Sequence, residues 1–132
     1  MHTTQIRVIY GDCDPMGVVY YANYLRYFEI GRGELMRSRE HTYREVEEGG
    51  LLLPVTEAHC RYLLPARYDD LLQLETRIIR ARGPRVCFAY RLERTPGVLV
   101  ASGTTEHAVL NSAGRPTRLP PQLVELLAPE QT

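Results

Sequence analysis

Lysine is missing from this chain. All 16 basic residues among its 132 are arginines, and 16 Asp and Glu side chains balance them to a formal net charge of zero. An arginine at any one position therefore says little about a need for a guanidinium there. Zero net charge also argues against a nucleic-acid-binding domain, which carries an excess of basic side chains on one face. Cysteine is scarce: Cys13, Cys60 and Cys87 are far apart, odd in number and form no C-x-x-C pair, so neither a zinc knuckle nor a dithiol redox pair is signalled. Free thiols of this kind fit a reducing compartment. No charged-then-apolar leader opens the sequence and no apolar run approaches about 18 residues, so no membrane insertion is expected and the chain reads as soluble and cytoplasmic. Internal repeats, low-complexity stretches and linkers are lacking too. Residues 1–132 are expected to form one domain, with 44% apolar residues enough for a core that needs no staples.

What is present is patterned. From Thr3 to Tyr10, Ile6, Val8 and Tyr10 alternate with Gln5, Arg7 and Ile9, a strand-like period of two. Gly11-Asp12-Cys13-Asp14-Pro15-Met16-Gly17 is then dense in turn formers, and Pro15 keeps Asp14 out of helical angles. A helix is predicted from Tyr20 or Tyr21 to near Arg39, with Tyr21, Leu25, Phe28, Leu35 and Met36 on its apolar side. Gly31 and Gly33 each cost about 1 kcal/mol relative to Ala in such a helix, and close approach of a sheet is the use that explains them. A short helix over Tyr43–Glu48 is stopped by Gly49-Gly50.

The remainder reads as strand: Leu53–Leu64, Leu71–Arg82, Arg85–Arg94 and Val98–Leu110, with turns at Pro65–Asp70, Gly83-Pro84 and Thr95-Pro96-Gly97. Leu72, Leu74, Thr76 and Ile78 share one face of their strand, as do Val86, Phe88, Tyr90 and Leu92 of the next. Pro120–Leu127 adds a helical turn or two. One strand, one long helix and four strands on short connections predict an α+β fold, an antiparallel sheet of about five strands curled around the helix. A single helix cannot cover both faces, so the convex face and the edges are expected to favour oligomerisation.

The stretch Tyr10-Gly11-Asp12-Cys13-Asp14-Pro15-Met16-Gly17-Val18-Val19-Tyr20-Tyr21-Ala22-Asn23-Tyr24 resembles, without a gap, the G-D-C-D-P-x-G-x-V-x-Y-x-N-Y motif of the 4-hydroxybenzoyl-CoA thioesterase family, including its Tol-Pal-associated acyl-CoA thioesterases. Tyr62-Leu63-Leu64-Pro65-Ala66-Arg67-Tyr68-Asp69-Asp70 is a second, looser resemblance, and the order of strands agrees along nearly the whole chain. The resemblance implies a hotdog fold and hydrolysis of an acyl- or aroyl-CoA. It makes Asp14 the catalytic carboxylate and the amide of Tyr21 the donor that polarises the thioester carbonyl. It further implies a homodimer or homotetramer with sites at the dimer interface, and no metal or cofactor beyond the coenzyme A of the substrate.

The chemistry agrees with these roles. A carboxylate is ionised at neutral pH without an activating base, so Asp14 can attack the thioester or deprotonate a water; the sequence leaves both routes open. The loop leads into the long helix, whose first N–H groups lack intrahelical partners and favour developing negative charge. Gly17 lets backbone and substrate approach closely. Asn23 is expected to bond the loop or a partner chain, or else to cap the helix. Tyr20, Tyr21, Tyr24 and Tyr27 divide between core packing and an acyl pocket, with Tyr24 placed among the substrate contacts. Arg82 and Arg85, beside Gly83-Pro84, are the candidates for the phosphates of coenzyme A.

Competing readings are weaker. Asp before Pro in a turn is commonly an Asx-turn or helix cap. A calcium loop opening at Asp12 requires Asp or Asn at position 16 and Glu at 23, where this chain has Met16 and Asn23. Cys13 has no nearby histidine to activate it, and His2, His41, His59 and His107 show no metal-ligand spacing. A hotdog dehydratase needs a histidine at the site. A hotdog module that only binds acyl-CoA, as a sensor or scaffold, would not require Asp14.

Overall fold

The structure, a computed structural model, describes residues 1–39, 43–95 and 97–129; His41 and Pro96, named above, lie outside them. The elements are β1 (His2–Arg7), a 3-10 turn (Tyr10–Asp12), α1 (Asn23–Ser38), α2 (Tyr43–Glu48), β2 (Val55–Tyr62), β3 (Leu71–Arg82), β4 (Arg85–Arg94), β5 (Val98–Ala108) and α3 (Pro121–Leu126). The strands form one antiparallel sheet in the order β1-β3-β4-β5-β2. β1 and β2 are therefore its edges, and α1 packs across the concave face. No helix among the described residues is long and apolar enough to cross a membrane.

The alternation in β3 and β4 does what its period requires. Leu72, Leu74, Thr76 and Ile78, then Val86, Phe88, Tyr90 and Leu92, are buried against the helix. Phe28 of α1 stacks on Tyr90 with ring centroids 4.2 Å apart, and Gly103 leaves the room, since a Cβ there would overlap the Phe28 ring. Each such fully buried aromatic contributes roughly 2–3 kcal/mol by area. Gly31 also behaves as expected: a methyl group at that position would overlap Thr76 Oγ1 and the Leu74 side chain, so the helix lies directly on the sheet. Gly33 does not. A Cβ there meets open space, and no packing reason for it is found.

β2 is shorter than the expected Leu53–Leu64 at both ends and β5 ends at Ala108 rather than Leu110, and two further boundaries that differ from expectation bear on the loop. β1 stops at Arg7, and Tyr10 sits in the 3-10 turn with its ring stacked 3.7 Å from that of Tyr68. α1 starts at Asn23, because Asn23, Tyr24 and Leu25 donate to Tyr20, Tyr21 and Ala22 in tight turns before helical bonding begins. The buried face of α1 is correspondingly Tyr24, Tyr27, Phe28, Gly31, Arg32, Leu35 and Met36, whereas Tyr21 and Leu25 are exposed.

A polar chain crosses the core. The Leu53 carbonyl can only accept, so His107 Nδ1 donates to it at 3.0 Å. Burial pushes the His107 pKa down, which keeps the ring neutral and makes Nε2 an acceptor for Thr105 Oγ1 at 2.8 Å. Thr105 then accepts from the Tyr90 hydroxyl at 2.6 Å, and Tyr90 from Arg32 at 3.5 Å. Each side-chain polar atom along this chain of bonds is thereby satisfied in one consistent direction.

Candidate active site

The loop between β1 and α1 is fixed by a carboxylate the sequence reading passed over. Asp12, at 3% exposure, accepts at Oδ2 from the Tyr27 hydroxyl (2.9 Å) and the Ile9 amide (3.3 Å), and pairs through Oδ1 with Arg26. Its own carbonyl accepts from the Tyr20 amide at 2.8 Å and from Asn23 Nδ2 at 2.9 Å. One residue thus binds the end of β1, the far arm of the loop and the first turns of α1. Asn23 bonds the loop, as one of its expected roles required; it does not cap the helix, whose N-cap position is Ala22 with no side-chain bond. The only sequence signal for the clamp is an Asp in the loop with Arg26 and Tyr27 near the helix start.

Within this frame, residues 14–18 form a small hairpin. The Asp14 amide donates to Val18 O at 2.8 Å and Gly17 N to Asp14 O at 2.9 Å. Gly17 turns the chain at φ +81, a conformation that strains any residue with a Cβ. Val19 is buried and donates to Ala66 O at 2.8 Å, which anchors the hairpin to the segment after β2.

The Asp14 side chain is half-buried and divided in use. Oδ1 accepts from Met16 N at 2.9 Å and Val18 N at 3.4 Å, the Asx-turn geometry anticipated as its structural role. Oδ2 has no hydrogen bond to any described residue. The turn therefore orients the carboxylate without consuming both oxygens.

The amides following the hairpin are distributed in the same way. Tyr20, Asn23, Tyr24 and Leu25 spend theirs on nearby carbonyls, while those of Tyr21 and Ala22 reach no described acceptor. Tyr21 precedes the helix proper, so its amide belongs to the turn that introduces α1. The Tyr62 hydroxyl, from the end of β2, donates to Tyr21 O at 3.0 Å and holds that turn in place. Burial, aided by Cys60, pushes the Tyr62 phenol up to about 12, so it remains a donor across the physiological range. Tyr62 was another residue the sequence did not single out. Tyr24 is buried beside it, with ring centroids 5.1 Å apart, and packs as core in the single chain.

Cys13 is placed poorly for nucleophilic work. Desolvation first, then the Asp12, Asp14 and Asp70 carboxylates, push its thiol up and keep it protonated. No group of His, Cys, Asp and Glu among the described residues is arranged to hold a metal ion.

Arg82 and Arg85 pair across the β3–β4 hairpin and are exposed, but they lie at the other end of the sheet. β3 begins beside the loop, where Val8 N donates to Asp70 O, and ends at Arg82, roughly 35 Å of strand away. One chain does not bring them to Asp14. A cavity of about 450 Å³ opens near the same end, lined by Glu29, Arg32, Glu47, Leu52, Leu53, Pro54 and Leu110.

β2 is the least covered part of the fold. Every residue from Val55 to Tyr62 is exposed except the partly buried Cys60, and the strand offers a free edge. Around the loop, Ile9, Tyr10, Met16, Tyr20, Tyr21, Leu63, Leu64 and Tyr68 are exposed apolar side chains.

Comparison with known proteins gives consistent results. The sequence profile of the thioesterase-like superfamily matches residues 8–127. The acyl-CoA thioesterase YbgC of Haemophilus influenzae is 39% identical over 90 residues, covering 67% of this chain and 66% of that protein. A hypothetical protein from Thermus thermophilus superposes with a TM-score of 0.91 at 32% identity, over 96% of both chains. An aspartate-to-asparagine mutant of 4-hydroxybenzoyl-CoA thioesterase, complexed with 4-hydroxybenzoyl-CoA, superposes with a TM-score of 0.86 at 27% identity, over 96% of this chain and 98% of that one.

Proposed function

This chain belongs to the thioesterase-like superfamily, and we propose that it hydrolyses the thioester of a small acyl- or aroyl-CoA, with Asp14 as nucleophile or general base. The observation that carries the reading is the division of labour at Asp14: one carboxylate oxygen is locked by Met16 N and Val18 N, and the other is left for chemistry. The carbonyl oxygen of the substrate is taken by the Tyr21 amide, which has no acceptor among the described residues and lies in a turn held by Tyr62. Negative charge developing there is stabilised by a donor that needs no reorganisation.

The full site needs a second copy. β2 carries the Tyr21 end of the loop at its C-terminal end and the walls of the 450 Å³ cavity just before its N-terminal end. Antiparallel pairing of two β2 edges lays the C-terminal end of one beside the N-terminal end of the other. Asp14 of one chain then approaches the cavity of its partner, together with the partner's Arg82–Arg85 end. The acyl group would occupy that cavity, with the arginines near the phosphates of coenzyme A. Exposed aromatic and aliphatic side chains around the loop, and an uncovered edge, are what such an interface would bury.

Free-thiol release from a panel of short, long and aromatic acyl-CoAs tests the reading. The wild type turns over at least one of them, and Asp14→Asn loses on the order of 10²–10⁴-fold in kcat with the fold intact. Equal rates for the two proteins refute the role of Asp14. A protein that binds coenzyme A and hydrolyses nothing is a sensor instead.

A further inference from the structure

We infer that the cavity of about 450 Å³ selects acyl groups whose far end is a carboxylate, and that Arg32 binds that end. How the acyl group reaches the cavity rests on the hydrolytic reading above; the binding groups belong to this chain alone. Arg32 lines the cavity with Leu52, Leu53, Pro54 and Leu110, and is only 9% exposed. A guanidinium keeps its proton, so a full charge is held there in largely apolar surroundings. Its one hydrogen bond among the described residues runs from Nη1 to the Tyr90 hydroxyl, at a long 3.5 Å. Arg32 makes no ion pair with any described carboxylate. Nε and Nη2 have no acceptor among the described residues, yet neither is sealed off, so their N–H groups open on the cavity.

The polar chain behind Arg32 holds the guanidinium without neutralising it. Tyr90, Thr105, His107 and the Leu53 carbonyl follow one another, and every link is uncharged. Burial keeps the Tyr90 phenol protonated, and burial together with the Arg32 charge keeps His107 neutral. A buried charge is costly unless an opposite charge pairs with it. Here the fold supplies a rigid backing and no anion. A ligand carboxylate completes the site by accepting from the planar fork of Nε and Nη2.

Glu29 and Glu47 share the lining but are exposed, so water screens them. The two glutamates therefore stand at the mouth and the arginine at the floor. Asp14 of the partner subunit approaches from the mouth in the proposed assembly, which leaves the thioester there and sends the far end of the acyl group to Arg32. A methyl end would leave the guanidinium desolvated and unpaired. A site built around such a donor discriminates against the analogue that lacks the acceptor.

Binding to Asp14→Asn, measured by calorimetry, keeps the test apart from turnover. Succinyl-, glutaryl- and adipyl-CoA are compared with butanoyl-, pentanoyl- and hexanoyl-CoA, which match them in length and lack the carboxylate. At least one carboxylated probe binds on the order of 10–100-fold more tightly than its match. Adding Arg32→Met, which keeps the bulk and removes the charge, takes most of that ratio away. The ratio is read within each variant, so a general weakening of the fold cancels. Arg32→Lys is the second variant: it keeps a charge without the fork, and its ratio falls below the wild-type value. Equal binding within every matched pair overturns the inference, and so does a preference that survives both substitutions. Preferential binding by a protein that hydrolyses none of the probes leaves Arg32 in its role and removes the hydrolytic reading. Hydrolysis of matched probes without any preference in binding does the reverse.

Discussion

Two carboxylates of one loop, Asp12 and Asp14, differ in what surrounds them. Asp12 is closed off from solvent, and both of its oxygens are occupied by Tyr27, Ile9 and Arg26. Asp14 is half-buried, with one oxygen held by its own turn and the other without a hydrogen bond to any described residue. A buried and fully satisfied carboxylate stabilises and cannot easily react; a fixed but half-satisfied one is oriented and still able to. The residue that looks more engaged is the one that builds the site, and the less engaged one is the candidate to work in it.

The comparison can be broken from either side. The largest effect is expected at Asp14. Asp14→Asn abolishes most hydrolysis, yet an amide oxygen still accepts from Met16 and Val18, so the melting temperature moves by no more than about 2 °C. A large drop in melting temperature would place Asp14 with Asp12. Asp12→Ala reverses the pattern. It strands the Tyr27 hydroxyl and the Ile9 amide, lowers stability by roughly 3 kcal/mol in urea melts, and acts on turnover only through the loop it positions. Tyr27→Phe removes one of the same bonds and costs about 1.5 kcal/mol, and its effect falls well short of additive with Asp12→Ala.

The smallest effect is one of pH. Burial first, then the hydrogen bond to Asp12, raise the Tyr27 phenol above its ordinary value. A group whose folded pKa lies above the unfolded one stabilises fully below the unfolded value and loses that contribution as pH rises past it. Melting temperatures should therefore decline from about pH 10 upward, and less steeply in Tyr27→Phe. The chain has no lysine, so tyrosines account for much of the titration in that window. Identical alkaline slopes in the two proteins would remove Tyr27 from the account.

The two ends of the chain's logic were unequally legible. β3 and β4 could be read because a period of two, once one face is buried, fixes every side chain along the strand. The turn at Asp14 could be read because Pro15 restricts the backbone before it and the stretch around it is dense in turn formers. The start of α1 was misplaced, since Tyr20–Ala22 spend their carbonyls on tight turns that no helical periodicity reports. Helical spacing puts Tyr21 and Leu25 on the apolar side of the helix, yet both are exposed, because an apolar residue carries no mark of which surface will bury it. The Asp12 clamp escaped notice because Arg26 and Tyr27 lie on the next element and meet it only after folding. The reach of Arg82 and Arg85 was equally invisible, for the length of β3 separates them from Asp14 in a single chain.

By itself, then, the sequence determined what local chemistry can dictate: alternating strands, a turn across Gly11–Gly17, a carboxylate held out of helical angles, and a motif that names a family. Tertiary structure decided which of two aspartates is sealed and which is open, which amides near Tyr21 lack acceptors among the described residues, and which sheet edge is bare. Those outcomes depend on groups far apart in the chain arriving within hydrogen-bond range, and on burial, which belongs to the packed whole.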